Sequence, residues 1–254
     1  MSTNSEKKKV GVIVQARMGS TRLPGKVLKI LYKNETILDI LIKRLKFSKN
    51  TDDIIIATTP DVKNQAIINV ANIHNVASFI GNEKNVLKRY FEAAKKYKLD
   101  IIIRVTADCP FVDPLVLDDM IQFYLSKNYD YIRNVDDTTN FPRGFEIEIF
   151  NFDVLEKVFR LAKTKPEKEH VTYFIYTHPK LFSLYSYNLE DLKKIKDLRL
   201  TIDEEDDLEV CREVIKLVLK KQKSLKFSVY DIIKIIELNP KLIEINKNVQ
   251  QKKI

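Results

Sequence analysis

The stretch Val10-Gly11-Val12-Ile13-Val14-Gln15-Ala16-Arg17-Met18-Gly19-Ser20-Thr21-Arg22-Leu23-Pro24-Gly25-Lys26-Val27-Leu28 decides how this 254-residue chain is read. Its opening run, residues 10–14, is apolar, β-branched and too short for a lone helix, which predicts a buried strand. The strand gives way to a loop. Gly19, Ser20, Pro24 and Gly25 supply the turn chemistry, and Arg17, Arg22 and Lys26 supply fixed positive charge. A strand that brings backbone N–H groups and cationic side chains to one point beyond its carboxyl end makes an anion cradle, and a phosphate chain is its natural occupant. The loop is not a P-loop: five residues separate Gly19 from Gly25, one more than that motif has, and Val27 stands where a Ser or Thr would hold magnesium. A solvated basic loop with no ligand would have the same composition, so the rest of the chain must decide.

Beyond the loop the pattern alternates. Residues 36–47 space Ile37, Leu38, Leu41, Ile42 and Leu45 along one helical face, and residues 53–59 form a second short apolar strand. A helix is expected over 61–72, a strand over 76–80 closing at Gly81, a helix over 85–97 and a strand over 100–106. Strand and helix in turn predict a mostly parallel sheet covered on both sides, an α/β fold of three layers, with functional groups where the strands end. One such end carries Asp108, followed by Pro110, which stops further pairing. A carboxylate there is well placed to hold a hard cation, and magnesium asks for one or two carboxylates besides substrate phosphate. Asp113, before Pro114 and a helix over 115–125, is read as a cap.

The second half is less regular until Phe145, from where apolar and acidic residues alternate as in a half-buried strand with Glu146 and Glu148 on one face. Helices are expected over 152–162 and 168–178, the latter with Glu169 and His170 at its start. A strand over 198–203 ends in Asp203, and helices are expected over 208–220 and 229–238, with Asp206 or Asp207 capping the first.

Composition narrows the class. The two cysteines cannot make a disulfide framework and the three histidines lack metal-binding spacing, which fits a reduced, cytoplasmic setting. Residues 1–9 are polar and lysine-rich with no apolar signal core and are read as a disordered basic leader. No run approaches the roughly 18 apolar residues of a membrane span. The net charge of +9 is mostly lysine scattered among acidic residues without interleaved aromatics, which argues for solvated helix faces and against a nucleic-acid surface. No linker divides residues 10–246, which are read as a single domain ahead of a polar tail, 247–254.

The opening signature, from Ile13 to Leu28, resembles that of the cytidylyltransferase family that includes spore-coat polysaccharide synthesis proteins and, more distantly, the enzymes that make CMP-Kdo and CMP-sialic acid. Arg104-Val105-Thr106-Ala107-Asp108-Cys109-Pro110 is similar to the family's R-x-T-x-D-C-P motif. Pro142-Arg143-Gly144, Glu169-His170-Val171-Thr172, Thr201-Ile202-Asp203 with Asp207, and Asn239-Pro240 through Asn246 resemble further family elements. The resemblance covers residues 10–246 and implies a nucleotide-diphospho-sugar transferase-like (GT-A-like) fold. It also implies Asp108 and Asp203 as ligands of Mg²⁺, with Arg17 and Lys26 joining them as catalytic residues. It puts the nucleotide against Ala16, Arg17, Ser20, Arg22, Lys26, Thr58, Thr59, Gly81, Arg104 and Thr106. The acceptor falls to Arg143, Gly144, Glu146, Glu148, Glu169 and His170. Three positions depart from the family pattern: Ala107 for glycine, Asn85 for aspartate, and Glu146 for aspartate, the last bearing on acceptor identity.

The implied reaction is nucleotidyl transfer: an acceptor oxygen attacks the α-phosphorus of CTP and pyrophosphate leaves, so charge neutralisation dominates the catalysis. The partners expected are CTP and a small anionic acceptor, such as an acidic sugar for surface polysaccharide. Related sugar-activating enzymes are often homodimers. A glycosyltransferase using a preformed nucleotide sugar and a non-catalytic nucleotide-binding protein are the alternatives left open at this point.

Overall fold

The computed structural model describes residues 7–195 and 198–251. In chain order the elements are β1 (Val10–Gln15), a hairpin of β2 (Ile30–Tyr32) and β3 (Glu35–Thr36), α1 (Ile37–Leu45), β4 (Asp53–Thr58), α2 (Gln65–Ile73), β5 (Ala77–Ile80), α3 (Val86–Tyr97) and β6 (Ile101–Thr106). Then come α4 (Pro114–Ser126), β7 (Tyr131–Arg133), β8 (Glu148–Asn151), α5 (Phe152–Leu161), α6 (Lys165–Glu169), α7 (Tyr173–Thr177), β9 (Leu184–Ser186), α8 (Glu205–Gln222), α9 (Val229–Leu238) and α10 (Leu242–Ile245).

Seven strands form one sheet in the order β5-β4-β1-β6-β8-β7-β9. The pairs β5–β4, β4–β1, β1–β6 and β7–β9 are parallel, and β8 runs antiparallel to both of its neighbours. The period of two along each strand sorts side chains to opposite faces. Val12, Val14, Ile101, Ile103 and Val105 face a core built with α1, α4, α8 and α9. Ile13, Ile55, Ile102 and Phe150 face a second core with α3, α5 and α7. This is the expected three-layer, mostly parallel α/β arrangement. In α1 the residues Ile37, Leu38, Ile40, Leu41, Ile42 and Leu45 are all fully buried, each worth about 1.5–3 kcal/mol of apolar transfer.

Local chemistry moves several expected boundaries. The helix expected over 168–178 is broken in two. Thr164 and Glu167 form a capping box, Pro166 sits in the first turn, and so α6 starts at Lys165 and has already ended where His170 caps it. His170 therefore closes a short helix instead of opening a longer one. The strand expected from Phe145 begins only at Glu148, because the Asn134 side chain takes the place of a ladder partner: its amide donates to Phe145 O and accepts from Ile147 N–H.

Residues 198–203 do not form a strand of the sheet. They are an extended, buried connection whose Leu200 N–H donates to Arg143 O and whose Ile202 N–H donates to Asp108 O, with one isolated bridge between Arg143 and Arg199. Helix α8 begins at Glu205, and its cap is Glu204, with Asp207 as the reciprocal partner inside the first turn. Of the expected leader, residues 1–6 lie outside the described residues, whereas Lys9 is bound on both sides: its N–H donates to the Asp100 carboxylate and its carbonyl accepts from Asp100 and Ile101. Residues 252–254 of the tail also lie outside.

The close approach of the 198–203 connection depends on Gly144, which has φ +106°. A methyl group there would come within 2.4 Å of Leu200 C and 2.6 Å of Thr201 N, both backbone atoms. Gly144→Ala therefore carries a conformational cost and a steric one, and the variant should lose about 3 kcal/mol or more by urea unfolding. A loss below about 1 kcal/mol would mean that the connection yields freely.

Candidate active site

Beyond the carboxyl ends of β1 and β6 lie two adjoining clefts that share Gln15, Arg17, Lys165, Glu169 and His170. The first, about 620 Å³, is lined by Ser20, Arg22 and Lys26 from the opening loop, Arg104, Thr106 and Asp108 from the end of β6, and Arg143, Glu146, Thr201 and Asp203 from the second half. The second, about 790 Å³, adds Ala16, Asn85, Arg89 and the lysines Lys163 and Lys168.

The opening loop is held from below. Met18 N–H donates to Asn64 Oδ1, and the Asn64 amide donates in turn to Thr59. Gly25, at φ +67°, turns the chain into a short 3-10 segment, Lys26–Leu28, which drives the Lys26 side chain inward. There the ammonium donates to Asp108 Oδ2 at 2.7 Å, to Asp203 Oδ1 at 2.9 Å and to Ile202 O at 2.7 Å. Two carboxylates far apart in the chain thus meet on one positive centre. Burial works against the charge on Lys26, but Asp108 and Asp203 more than offset it and raise its pKa.

Asp203 is the more enclosed of the two acids. Its Oδ2 accepts from Arg199 at 2.6 Å and pairs with Arg22 at 2.9 Å. Burial alone would raise its pKa, yet the ammonium of Lys26 and the two guanidinium groups bring it down to about 2. Arg199 also clasps Asp207, at 2.9 and 3.2 Å, and Asp207 accepts from Asp203 N–H, Glu204 N–H and the Asn246 amide. Every strong acceptor direction of Asp207 is filled, which is how a fully buried carboxylate is tolerated.

The opposite wall is built around Glu146. Its Oε2 accepts from Gly144 N–H at 2.7 Å and from the Cys109 thiol at 3.2 Å, and burial pushes its pKa up. Glu148, expected on the same face, does not line either cleft. It lies directly across the sheet from Arg104 and pairs with it at 2.6 Å, so that Arg104, whose charge burial opposes and Glu148 favours, is fixed at the cleft floor.

Thr58 and Thr59 are buried and line neither cleft; Thr59 reaches the opening loop only through Asn64. Gly81 is packed between Phe79 and Arg89 behind the second cleft, its N–H bonded to Thr58 O. Gly144 shapes the wall through its backbone. Gln15, Arg89, Lys165, Thr201 and Arg199 belong to the site without having been expected there from sequence. Gln15 and Thr201 each sit one or two positions from an expected site residue and inside the motifs that resemble the family's, which is the signal that could have found them.

Among the described residues no cluster of three or more His, Cys, Asp or Glu side chains could hold a metal ion. Asp108 and Asp203 alone converge, and a seat of two carboxylates completed by water and phosphate is what Mg²⁺ accepts. The donor set therefore fits that ion. No helix among the described residues is long and apolar enough to cross a membrane.

The sequence profile of the family described as Cytidylyltransferase matches residues 11–248. The chain belongs to the cytidylyltransferase family. It is 41% identical over 243 residues to an uncharacterized protein of Methanocaldococcus jannaschii, covering 94% of this chain and 95% of that one. It is 35% identical over 234 residues to the spore coat polysaccharide biosynthesis protein SpsF of Bacillus subtilis, covering 90% and 94% of the two chains. A solved cytidylyltransferase from Leptospira borgpetersenii superposes with a TM-score of 0.88 at 34% identity, over 97% of this chain and all of the other. Membership of this family makes the protein a nucleotidyl-transferring enzyme.

Proposed function

We propose that this cytidylyltransferase couples CTP to a small anionic acceptor, an acidic sugar or sugar phosphate used in surface polysaccharide, in the cytoplasm and with Mg²⁺. The observation that carries the reading is the meeting of Asp108 and Asp203 at Lys26, beside Arg17 and Arg22. The acceptor oxygen attacks the α-phosphorus in line, the bond to the bridging α–β oxygen breaks, and pyrophosphate leaves with that oxygen's electron pair. Mg²⁺ held by Asp108 and Asp203 would offset charge on the phosphates.

The chain's own residues have distinct tasks. Arg17, Arg22 and Lys26 neutralise the β- and γ-phosphates, whose charge grows as the bond breaks. The second cleft, with Ala16, Asn85 and Arg89, takes the nucleoside, and Arg104 and Thr106 mark the floor between nucleotide and acceptor. Arg143 supplies positive charge, and His170 an N–H donor, for an anionic acceptor. A phosphate or carboxylate acceptor is ionised already and needs no base. For a hydroxyl acceptor, Glu146 is the group able to take the proton, since burial raises its affinity for one.

The test is pyrophosphate release from each of the four nucleoside triphosphates, with Mg²⁺, against a panel of acidic sugars and sugar phosphates. Turnover is expected with CTP and at least about 100-fold less with the other three, a margin that hydrogen-bond readout of a base edge supports. Equal rates with all four triphosphates, or none with CTP under any acceptor, would reject the proposal.

A further inference from the structure

Lys26 has three N–H donors and all of them are spent on Asp108, Asp203 and the Ile202 carbonyl. None is left for a triphosphate. The ammonium also stands at hydrogen-bond distance from one oxygen of each aspartate, the two side chains that would hold a divalent ion. A cation of each kind cannot occupy that point together, because two positive charges repel each other at contact.

We infer that Lys26 is the resident cation of the seat between Asp108 and Asp203, and that it must leave when a divalent ion enters. This rests on the nucleotidyl-transfer reading of the site. A lysine vacating that seat needs another anion, and the triphosphate in the adjoining cleft, beside Arg17 and Ser20, is the one at hand. The long flexible stem allows the swing without movement of the 3-10 segment that carries it. Metal and triphosphate therefore enter as a pair: each removes an obstacle to the other, and the gain in affinity is the same in either order. In the free protein Lys26 holds the two aspartates together, so that like charges there do not drive the walls apart.

The measurement is Mn²⁺ binding to the full chain, followed by electron paramagnetic resonance, with and without CTP, in the wild type and in Lys26→Met. In the wild type CTP should tighten Mn²⁺ binding by about 100-fold. In Lys26→Met the seat is open from the start, so Mn²⁺ should bind the free protein about 10-fold more tightly than it binds the free wild type, and the tightening by CTP should shrink to match. Mn²⁺ binding to free Lys26→Met no tighter than to the wild type, while CTP still recruits Mn²⁺ to the wild type, overturns the inference and leaves the proposed function standing. No Mn²⁺ binding to the wild type in either state removes the metal seat and overturns both. Should Lys26→Met not fold, reductive methylation of wild-type Lys26 read by mass spectrometry decides: Mn²⁺ alone should raise its labelling several-fold and CTP with Mn²⁺ should lower it again, and labelling that Mn²⁺ leaves unchanged overturns the inference.

Discussion

Asp108→Ala is expected to lower the rate of pyrophosphate release from CTP by about 10³-fold while the protein stays folded. The size reflects the task of the side chain in the proposed reaction: it neutralises charge where charge develops, and several kcal/mol of barrier depend on such groups. The fold should tolerate the change because the Asp108 side chain is about a quarter exposed and its loss still leaves Lys26 bonded to Asp203 and to Ile202 O. Affinity for CTP itself should fall little in the absence of metal, since Arg17 and Arg22 remain. The loss should therefore appear in kcat, with the melting temperature within a few degrees of the wild type. A variant that is folded and retains more than about a tenth of the activity would show that Asp108 is not part of the catalytic charge balance.

Arg199→Met should have the largest effect on stability. Arg199 and Asp207 are 8% and 0% exposed in their side chains, and removing the guanidinium leaves Asp207 buried without its cation and Asp203 short of one partner. Breaking a buried pair in this way costs about 3–5 kcal/mol, or roughly 10 °C in melting temperature for a chain of this size. Arg199→Lys restores charge without the planar fork that reaches both aspartates, so it should recover part of the stability only. Arg199 reaches the first cleft through Asp203 and Gln251, which line it, and this makes it a positioning residue. In Arg199→Lys, assayed well below its melting temperature, kcat should fall by about 10-fold or more with KM for CTP nearly unchanged. Chemical denaturation and steady-state kinetics on the same preparations check both statements, and a Met variant as stable as the wild type would sink the first.

The sheet was legible from the sequence because β1, β4 and β6 are short β-branched runs, each closed by turn residues and separated by helical spacing. Periodicity sees that directly. The cations of the opening loop were legible because Gly19, Pro24 and Gly25 leave the loop no other regular structure, and Asp108 because it follows a strand. Other features were hidden by ambiguity of pattern. Leu198, Leu200 and Ile202 alternate as a strand would, but alternation reports burial on one side and not whether the partner is a ladder or a lone connection. Thr58 and Thr59 end a strand as Asp108 does, yet Asn64 folds back over Thr59 and closes it from the cleft. The position of His170 along its helix was misjudged for a different reason. Thr164 and Glu167 spell a capping box in plain sequence, and that box starts the helix at Lys165 and puts His170 at its end. The pairing of Arg199 with Asp207 had no local signal, since it forms across the turn that leads into α8.

Asp207 also has a partner near the other end of the chain: the Asn246 amide, which bonds both Asp207 Oδ1 and Arg199 O. A nascent polypeptide arrested before residue 246 emerges could already pair β1 with β4 and β6, but Asp207 would lack one of its donors and the guanidinium beside it would be less firmly seated. Synthesis thus finishes the strands β1, β4 and β6 well before it finishes the support of Asp207 and, through Arg199, of Asp203.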